Sequence, residues 1–203
     1  MIIIGLTGSI GMGKSTVAGM FYERGVPIHD ADRAVHNAMA PGGPAVQDIA
    51  EAFPDAVDIL NGKTVINRQK LGATVFGNTD KINRLEGILH PYARASADRF
   101  VKECREKGHQ CALLDIPLLF ETGAESRVDV TICVSAAADV QKARVLKRPG
   151  MTEDKLDHIL ARQMPDAEKR RRADFIIHTD TSLSETTAQV DDILEKIYRL
   201  TPS

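Results

Sequence analysis

The sequence predicts an α/β fold in which the strands of a parallel sheet alternate with helices. Three observations lead to this fold class. A short run rich in β-branched residues at 2–6 is followed by a glycine-rich turn and then by a helical pattern. A second strand at 26–30 completes a βαβ unit, which requires parallel pairing. Further apolar runs with the character of buried strands follow at 110–117, 128–134 and 175–178.

The turn after the first strand fits the pattern G-x-x-x-x-G-K-[ST] from Gly8 to Ser15. Glycines let backbone N–H groups approach phosphate oxygens, and a helix that begins near Lys14 directs its positive dipole end at the same anion. Lys14 can reach the β- and γ-phosphates, and the Ser15 hydroxyl can bind Mg²⁺. The motif predicts a nucleoside triphosphate site and leaves the fate of the phosphate open. A glycine-rich turn that binds nothing is disfavoured, because strand, loop and helix all lie where the motif requires them.

Composition and charge narrow the class of protein. The 203 residues are 43% hydrophobic and carry a net charge of −2, which argues against a nucleic-acid-binding surface built on bulk charge. The N-terminal apolar run is too short to span a membrane and lacks the basic flank of a signal peptide. Cys104, Cys111 and Cys133 form no C-x-x-C pair. We therefore expect a reduced, cytoplasmic setting.

Two carboxylates, Asp30 and Asp32, come where the second strand ends. Open α/β sheets bind their ligands at this carboxyl edge, although an Asp here can also simply cap the next helix. We assign the structural role to Asp30 and the functional role to Asp32.

A mostly helical segment of roughly seventy residues separates the second strand from the third, which is far longer than a simple crossover. We expect this insertion to bind a second substrate. Asn61-Gly62-Lys63 indicates a turn, and His90-Pro91 is expected to break the helical pattern. Helices are expected at 31–40, 45–53, 66–76, 80–89 and 92–107.

The third strand ends in Asp115. A P-loop enzyme can use a carboxylate in this place on the Mg²⁺ side of the site, but Asp115 could equally be a turn residue before Pro117. The segment Pro117-Leu118-Leu119-Phe120-Glu121 puts three large apolar residues beside a carboxylate. Core packing and an apolar pocket wall both remain open for it.

The segment after the fourth strand is basic and is expected to contain helices at 139–147 and 152–164, with Thr152 at the start of the second. Arg144 and Arg148 are four residues apart on one helix face, which favours a role for at least one of them in a lid over the triphosphate. A solvated charged face is the alternative, and we favour it for Arg170 to Arg172. Ser184 is expected to cap a last helix at 185–200.

These features together resemble the dephospho-coenzyme A kinase family over nearly the whole chain. The P-loop alone is generic, whereas the HP and PLLFE segments in this order are specific. Met12 departs from the family pattern, and so does His178-Thr179-Asp180, which stands where an Asn-Gly turn is common. The resemblance is carried by residues 5–15, 30–32, 66–68, Leu71, Phe76, 85–86, 89–91, 117–121, Arg144, Arg148, Gln163 and 173–175.

The resemblance implies transfer of the γ-phosphate of ATP to the ribose 3′-hydroxyl of dephospho-CoA, the final step of coenzyme A biosynthesis. It implies a P-loop nucleotide-kinase-like fold with a five-stranded core at 1–31, 108–138 and 173–203, a helical CoA-binding insertion at about 32–107 and a lid at about 139–172. The implied small molecules are ATP, Mg²⁺ and dephospho-CoA. We expect no nucleic-acid or membrane partner, and a monomer or weak homo-oligomer.

The resemblance also implies the site residues. The catalytic residues are expected to be Lys14, Asp32 and Arg144, with Ser15 as the metal ligand. The expected ATP-binding residues are Gly11, Met12, Gly13, Lys14, Ser15, Thr16, Arg144 and Arg148. The expected substrate-binding residues are Asp32, Arg68, His90, Pro91, Leu118 and Glu121.

Other classes fit the sequence less well. The long insertion with the HP and PLLFE segments disfavours another small-molecule kinase, such as a nucleoside monophosphate kinase. A GTPase switch is disfavoured because the chain lacks an [NT]-K-x-D guanine-reading motif, Thr79-Asp80-Lys81 having the wrong order. An ATP-driven transporter or DNA-remodelling subunit is disfavoured because no LSGGQ-like signature is present and the charge balance is acidic.

Overall fold

The computed structural model describes residues 1–199, which form two compact units. Of the described residues, one unit contains 1–29 and 101–199, and the other contains 30–100. No helix in residues 1–199 is both long enough and apolar enough to cross a membrane.

The strands follow the predicted α/β pattern. In chain order they are β1 (Ile2–Thr7), β2 (Ile28–Asp30), β3 (Val57–Leu60), β4 (Lys63–Ile66), β5 (Cys111–Asp115), β6 (Val130–Ser135) and β7 (Phe175–His178). Within residues 1–199, five of them form one sheet in the order β2-β5-β1-β6-β7, and pairing is parallel from β5 through β1 and β6 to β7. All residues of β1, β5 and β6 are buried, as expected for a parallel sheet covered on both faces. The predicted fold class is confirmed.

Helices occur in both units. They are α1 (Lys14–Glu23), α2 (Ala31–Ala38), α3 (Val46–Ala52), α4 (Arg68–Val75), α5 (Thr79–Glu106), α6 (Ala138–Leu146), α7 (Glu153–Leu160), α8 (Asp166–Arg172) and α9 (Leu183–Arg199). The predicted apolar stripe of the last helix is confirmed, because Val190, Ile193, Leu194 and Ile197 are buried in the core that contains the sheet.

Two predicted helix caps are confirmed. The Asp30 carboxylate accepts a hydrogen bond from the Arg33 N–H at 2.9 Å at the start of α2. The Thr152 hydroxyl accepts one from the Lys155 N–H at 3.3 Å at the start of α7. Each of these side chains satisfies a backbone donor that the helix itself cannot pair.

The predicted cap of the last helix is wrong by two residues. Ser182, not Ser184, precedes α9, and its hydroxyl accepts a hydrogen bond from the Glu185 N–H at 3.2 Å. The Glu185 carboxylate accepts one in return from the Ser182 N–H at 2.9 Å. The S-x-x-E spacing of a capping box therefore sets the start of this helix.

The expected helix break at His90-Pro91 is also wrong. Helix α5 runs without interruption from Thr79 to Glu106 with Pro91 inside it. A proline removes one hydrogen bond from a helix interior, but this helix is also held by packing. Leu89 and Ala97, one on each side of Pro91 along the helix, are buried.

A β-hairpin interrupts the insertion that was expected to be mostly helical. Strands β3 and β4 pair antiparallel, with Leu60 opposite Lys63. Asn61 and Gly62 connect them with φ values of 52° and 72°, the two positive values that a type I′ turn requires. The Asn-Gly turn signal was found in the sequence, but these short, partly exposed strands were not.

The boundary between α7 and α8 differs from the expected helix at 152–164. Helix α7 ends at Leu160, and Pro165 stands directly before α8. A proline disfavours helical geometry in the residue that precedes it, so Met164 is a poor residue for the end of a helix. The other helix ends that fall within residues 1–199 lie within a few residues of the expected ones, the usual uncertainty at helix termini. The expected end of the last helix at residue 200 lies outside the described residues.

Candidate active site

The predicted phosphate loop, residues 8–13, connects β1 to α1. Two of its positions require glycine, both because of the backbone φ angle and because a Cβ atom would be too close to its neighbours. Gly11 and Gly13 have φ values of 79° and 89°, which side-chain-bearing residues rarely adopt. A Cβ atom on Gly13 would lie 3.0 Å from the Thr179 hydroxyl oxygen, and one on Gly11 would lie 2.5 Å from a methyl group of Val145. The loop is therefore packed closely against the segment after β7 and against α6.

Two glutamines hold Ile10 in the middle of this loop. The Ile10 N–H donates to the Gln163 side-chain oxygen at 3.1 Å, and the Gln141 side-chain nitrogen donates to the Ile10 carbonyl at 2.7 Å. Both polar groups of one loop residue are thus paired by side chains from distant segments. Sequence reasoning missed Gln141, and it noticed Gln163 only as part of the family pattern.

Lys14 forms an ion pair with Asp115 at the carboxyl edge of the sheet. Both side chains are largely buried, with 16% and 10% of their surfaces exposed. Strands β1 and β5 are parallel neighbours, so the loop after β1 and the end of β5 meet at the same edge. Asp115 therefore pairs with the lysine of the predicted phosphate loop. A role on the Mg²⁺ side of the site and a role as a turn residue before Pro117 both stay hypotheses for it.

Ser15 and Thr16 lie in the first turn of α1 and are exposed. The loop amides and the positive end of the helix dipole coincide there, which makes this turn suited to an anion. Met12 has a different environment. The whole residue is 2% exposed, and its sulfur accepts a hydrogen bond from the Ala136 N–H at 3.1 Å. Met12 thus packs inside the protein.

Arg144 and Arg148 differ in their surroundings, and the expectation that they share one helix face is wrong. Arg144 lies in the last turn of α6, whereas Arg148 lies two residues beyond the end of that helix. Arg144 is half-buried, and its guanidinium donates to the Thr179 hydroxyl at 2.9 Å and to the Thr179 carbonyl at 2.5 Å. The Thr179 hydroxyl donates in turn to the Met12 carbonyl of the phosphate loop at 2.7 Å. Arg148 is exposed. The structure therefore connects Arg144 to the phosphate loop through one threonine.

The PLLFE segment, residues 117–121, contributes apolar side chains to the core and a carboxylate that binds another segment of the chain. Leu119 and Phe120 are buried, and Leu118 is partly buried. The Glu121 carboxylate accepts a hydrogen bond from the Met164 N–H at 2.7 Å and lies 2.9 Å from the ammonium group of Lys169. The segment thus binds the chain between α7 and α8, which explains why a carboxylate follows three large apolar residues.

Lys169 begins the basic run 169–172, but unlike the three arginines that follow it, it is not exposed. Its side chain is fully buried, and its ammonium group also donates to the Pro117 carbonyl at 2.9 Å. Arg170, Arg171 and Arg172 are exposed, as the sequence indicated for them. Helical position separates the four, because only one of the consecutive side chains faces the interior.

The unit of residues 30–100 has its own concave site, a cavity of about 730 Å³. It brings together Asp32 and Arg68, two of the expected substrate residues. The Arg68 guanidinium donates to Nδ1 of His36 at 2.8 Å. His36 had no signal in the sequence that distinguished it from a surface histidine. The lining residues are Asp30, Asp32, Arg33, Val35, His36, Asn37, Met39 and Arg68, whereas His90 and Pro91 lie on α5.

Comparison with known proteins identifies the family. The family model for dephospho-CoA kinase matches residues 2–185. The chain is 53% identical over 197 residues to the dephospho-CoA kinase of Mesorhizobium japonicum, an alignment that covers 97% of each chain. The chain belongs to the dephospho-CoA kinase family. The resemblance noted in the sequence and the expected class of enzyme, a phosphotransferase that acts on an alcohol group, are therefore confirmed.

Solved structures agree with this assignment to the dephospho-CoA kinase family. The crystal structure of TT1252 from Thermus thermophilus has a TM-score of 0.81 and 30% sequence identity, with 99% of this chain and 98% of that chain covered. Dephospho-CoA kinase from Campylobacter jejuni has a TM-score of 0.72 over 97% of each chain, and at 24% identity it supports the fold. The roles assigned to individual residues stay predictions.

Proposed function

We propose that the protein transfers the γ-phosphate of ATP to the ribose 3′-hydroxyl of dephospho-CoA, giving CoA and ADP. The observation that supports this proposal is the ion pair between Lys14, at the end of the glycine-rich loop, and Asp115. The chain's membership of the dephospho-CoA kinase family gives this pair its meaning. The pair fixes a cation at the carboxyl edge of a parallel sheet, where α/β proteins bind nucleotides. In the reaction the 3′-oxygen forms a bond to the γ-phosphorus, and the bond to the oxygen between the β- and γ-phosphorus breaks.

On the ATP side, the loop amides of residues 11–16 and the ammonium group of Lys14 bind the phosphates. Arg144 adds a second cation, held beside the loop by Thr179. The transition state of phosphoryl transfer is loose and carries its charge on the phosphoryl oxygens, so fixed cations contribute more than a strong base. We assign Arg148 a smaller role at the same place, because its side chain is exposed.

Mg²⁺ fits the donor set of this loop, and Ser15 is the protein ligand that we assign to it. Mg²⁺ usually takes one or two protein oxygens, with phosphate oxygens and waters completing its shell. Within residues 1–199, no group of three or more His, Cys, Asp or Glu side chains could hold a metal ion by itself. The exposed Ser15 hydroxyl at the start of α1 suits a metal that arrives with the nucleotide. When bound, Mg²⁺ supplies positive charge that neutralises the phosphates.

On the acceptor side, Asp32 accepts the proton of the 3′-hydroxyl as the new bond to phosphorus forms. Asp32 lines the 730 Å³ cavity together with Arg68, whose guanidinium suits the diphosphate of dephospho-CoA. His36 accepts a hydrogen bond from Arg68 and holds its guanidinium. His90, Pro91, Leu118 and Glu121 complete the residues that we assign to substrate binding from the family pattern.

We also propose that the protein works in the cytoplasm as a monomer or weak homo-oligomer. The three cysteines are free and buried, which suits a reducing compartment. Sedimentation analysis across a range of protein concentrations tests the proposed assembly state, and a concentration-independent higher oligomer would contradict it.

An ADP-release assay with purified protein, ATP and Mg²⁺ tests the reaction. We expect turnover with dephospho-CoA and little with AMP, CMP or shikimate, and we expect ATP to serve better than GTP. A 3′-deoxy analogue of dephospho-CoA is the matched control, because it lacks only the attacking oxygen and should give no turnover. Equal turnover with AMP, or turnover with the 3′-deoxy analogue, would contradict the proposed substrate or the proposed attacking group.

A further inference from the structure

Thr179 was noted in the sequence only as part of a departure from the family pattern, and its contacts were not predicted. It follows β7 directly, is 8% exposed, and donates its backbone N–H to the Ser135 carbonyl at the end of β6 at 2.9 Å. The backbone of Thr179 is thus held by the sheet. Its side chain contacts the phosphate loop. A Cβ atom added to Gly13 would have the Thr179 side chain as its nearest neighbour.

The Thr179 hydroxyl has a defined hydrogen-bond direction on both sides. A guanidinium can only donate, so the hydroxyl must accept from Arg144 at 2.9 Å. A carbonyl can only accept, so the hydroxyl proton must go to the Met12 carbonyl at 2.7 Å, in preference to the Ser135 carbonyl at 3.5 Å. One hydroxyl therefore connects the arginine to the backbone of the phosphate loop.

Arg144 is also fixed in orientation. Its second terminal nitrogen donates to the Thr179 carbonyl at 2.5 Å, so a single residue accepts two hydrogen bonds from one guanidinium plane. Two contacts to a held residue determine both the position and the tilt of this planar group. The guanidinium has five N–H donors, and these contacts leave further donors for a ligand.

We propose that Thr179 is a positioning residue for phosphoryl transfer, which sets the distance and the tilt of the Arg144 guanidinium relative to the phosphate loop. This inference rests on the proposed role of Arg144. An arginine that is already oriented loses little side-chain entropy when the nucleotide arrives, and it is aligned before charge develops on the phosphoryl group. The hydroxyl of Thr179, not its methyl group, carries this effect.

The alternative is that Thr179 serves only the fold, by satisfying the Met12 carbonyl. A fold-only role predicts that a variant loses stability without a change in kcat that depends on Arg144. A positioning role predicts that the change in kcat disappears once the Arg144 side chain is gone. A double-mutant cycle separates these two predictions.

The cycle compares the wild type, Thr179→Val, Arg144→Ala and the double variant in the ADP-release assay, with thermal melting measured in parallel. Valine keeps the shape of threonine and removes the hydroxyl. We expect Thr179→Val to lower kcat by roughly ten- to a hundredfold, the range for a lost hydrogen bond to a charged group, with KM for dephospho-CoA unchanged. In the Arg144→Ala background the same substitution should change kcat by less than about twofold, but it should still lower the melting temperature, because the bond to the Met12 carbonyl is lost in both backgrounds.

Two further variants complete the test. Thr179→Ser keeps the hydroxyl and should restore most of kcat. Thr181→Val is the control, because Thr181 lies in the same loop and is exposed, and it should leave kcat within about twofold of the wild type.

Each contrary outcome has a distinct meaning. If Thr179→Val keeps wild-type kcat while Arg144→Ala does not, the positioning role of Thr179 is overturned and the role of Arg144 stands. If Thr179→Val lowers kcat equally in both backgrounds, Thr179 acts through the loop alone and the inference fails. If Arg144→Ala itself keeps wild-type kcat, the proposed role of Arg144 fails and the inference fails with it.

Discussion

The ammonium group of Lys169, which has no exposed side-chain surface, lies 2.9 Å from the carboxylate of Glu121. This pair holds the segment around Met164 and α8 against the loop after β5. Removing one member of a buried pair leaves the other charge uncompensated, which typically costs about 3–5 kcal/mol. The second oxygen of the Glu121 carboxylate is already buried without a hydrogen-bond partner among the described residues, which makes a lone charge there still less favourable.

We therefore expect Lys169→Met to lower the free energy of unfolding by about 3–5 kcal/mol, measured by urea denaturation. The double variant Lys169→Met/Glu121→Gln should recover part of this loss, because it also removes the stranded carboxylate. Arg171→Met is the control, since Arg171 pairs with Glu168 on the surface with three-quarters of its side chain exposed. That change should cost less than about 1 kcal/mol. If Lys169→Met and Arg171→Met lowered the free energy of unfolding equally, the buried pair would contribute no more to stability than the surface pair.

Lys14→Ala should reduce turnover by at least about a hundredfold, the effect of losing one preorganised donor at a developing charge. ADP release measures the turnover, and calorimetric titration with ADP measures the contribution of Lys14 to phosphate binding. Lys14→Arg should also be impaired, because a planar guanidinium does not replace a compact ammonium group. Turnover of Lys14→Ala near the wild-type value would contradict the assignment of the phosphate loop.

Arg144→Ala should lower kcat roughly a thousandfold, with little change in KM for dephospho-CoA, because the arginine acts on charge that develops in the transition state. Arg148→Ala is the matched comparison, four residues away and exposed, and its effect should be below about tenfold. Steady-state kinetics in both substrates would separate the two variants. A larger loss in Arg148→Ala would exchange the roles of the two arginines.

Asp32→Asn should leave ATP affinity near the wild-type value and reduce turnover within the 10²–10⁴-fold range typical for loss of a general base. The lower end of that range is expected, since a loose transition state needs little early deprotonation. Asp30→Asn is the control, because Asp30 caps α2 and asparagine caps about as well as aspartate. If both variants turn over within about threefold of the wild type, Asp32 has no part in proton transfer.

The native protein should react slowly with thiol reagents at mildly alkaline pH. Burial raises the pKa of the Cys133 thiol to about 12, and burial also raises the pKa values of Cys104 and Cys111. Only the thiolate reacts, so a raised pKa and a buried sulfur both slow modification. Iodoacetamide labelling followed by mass spectrometry measures this, and the same protein in concentrated guanidinium should label fully. Rapid labelling of Cys133 in the folded protein would contradict its buried, protonated state.

Local features of the sequence predicted the structure well. The phosphate loop, the Asp30 and Thr152 caps and the apolar stripe of α9 each depend on residues within a few positions of one another. The hairpin at Asn61-Gly62 shows the limit of such signals, because its turn was found and its short strands were not. Pro91 gave the opposite error, since tertiary packing kept a helix intact where local propensity predicted a break.

The contacts of the candidate site that sequence reasoning missed join distant parts of the chain. Gln141 meets Ile10 across 131 positions, and Thr179 meets Met12 across 167. No local pattern records such pairs, because each partner is an ordinary polar or apolar residue in its own segment. Lys169 was missed for a related reason, since three exposed arginines follow it and the run had the composition of a solvated surface.

The two glutamines that hold Ile10 have a consequence for the end of the catalytic cycle. A loop that is shaped by the protein itself does not need the γ-phosphate to keep its form, so it presents the same amides to a nucleoside diphosphate as to a triphosphate. Binding of this kind is uniform between substrate and product and does not favour the departure of either. Release of ADP must therefore depend on groups outside the loop, and this release becomes a step that can limit the overall rate.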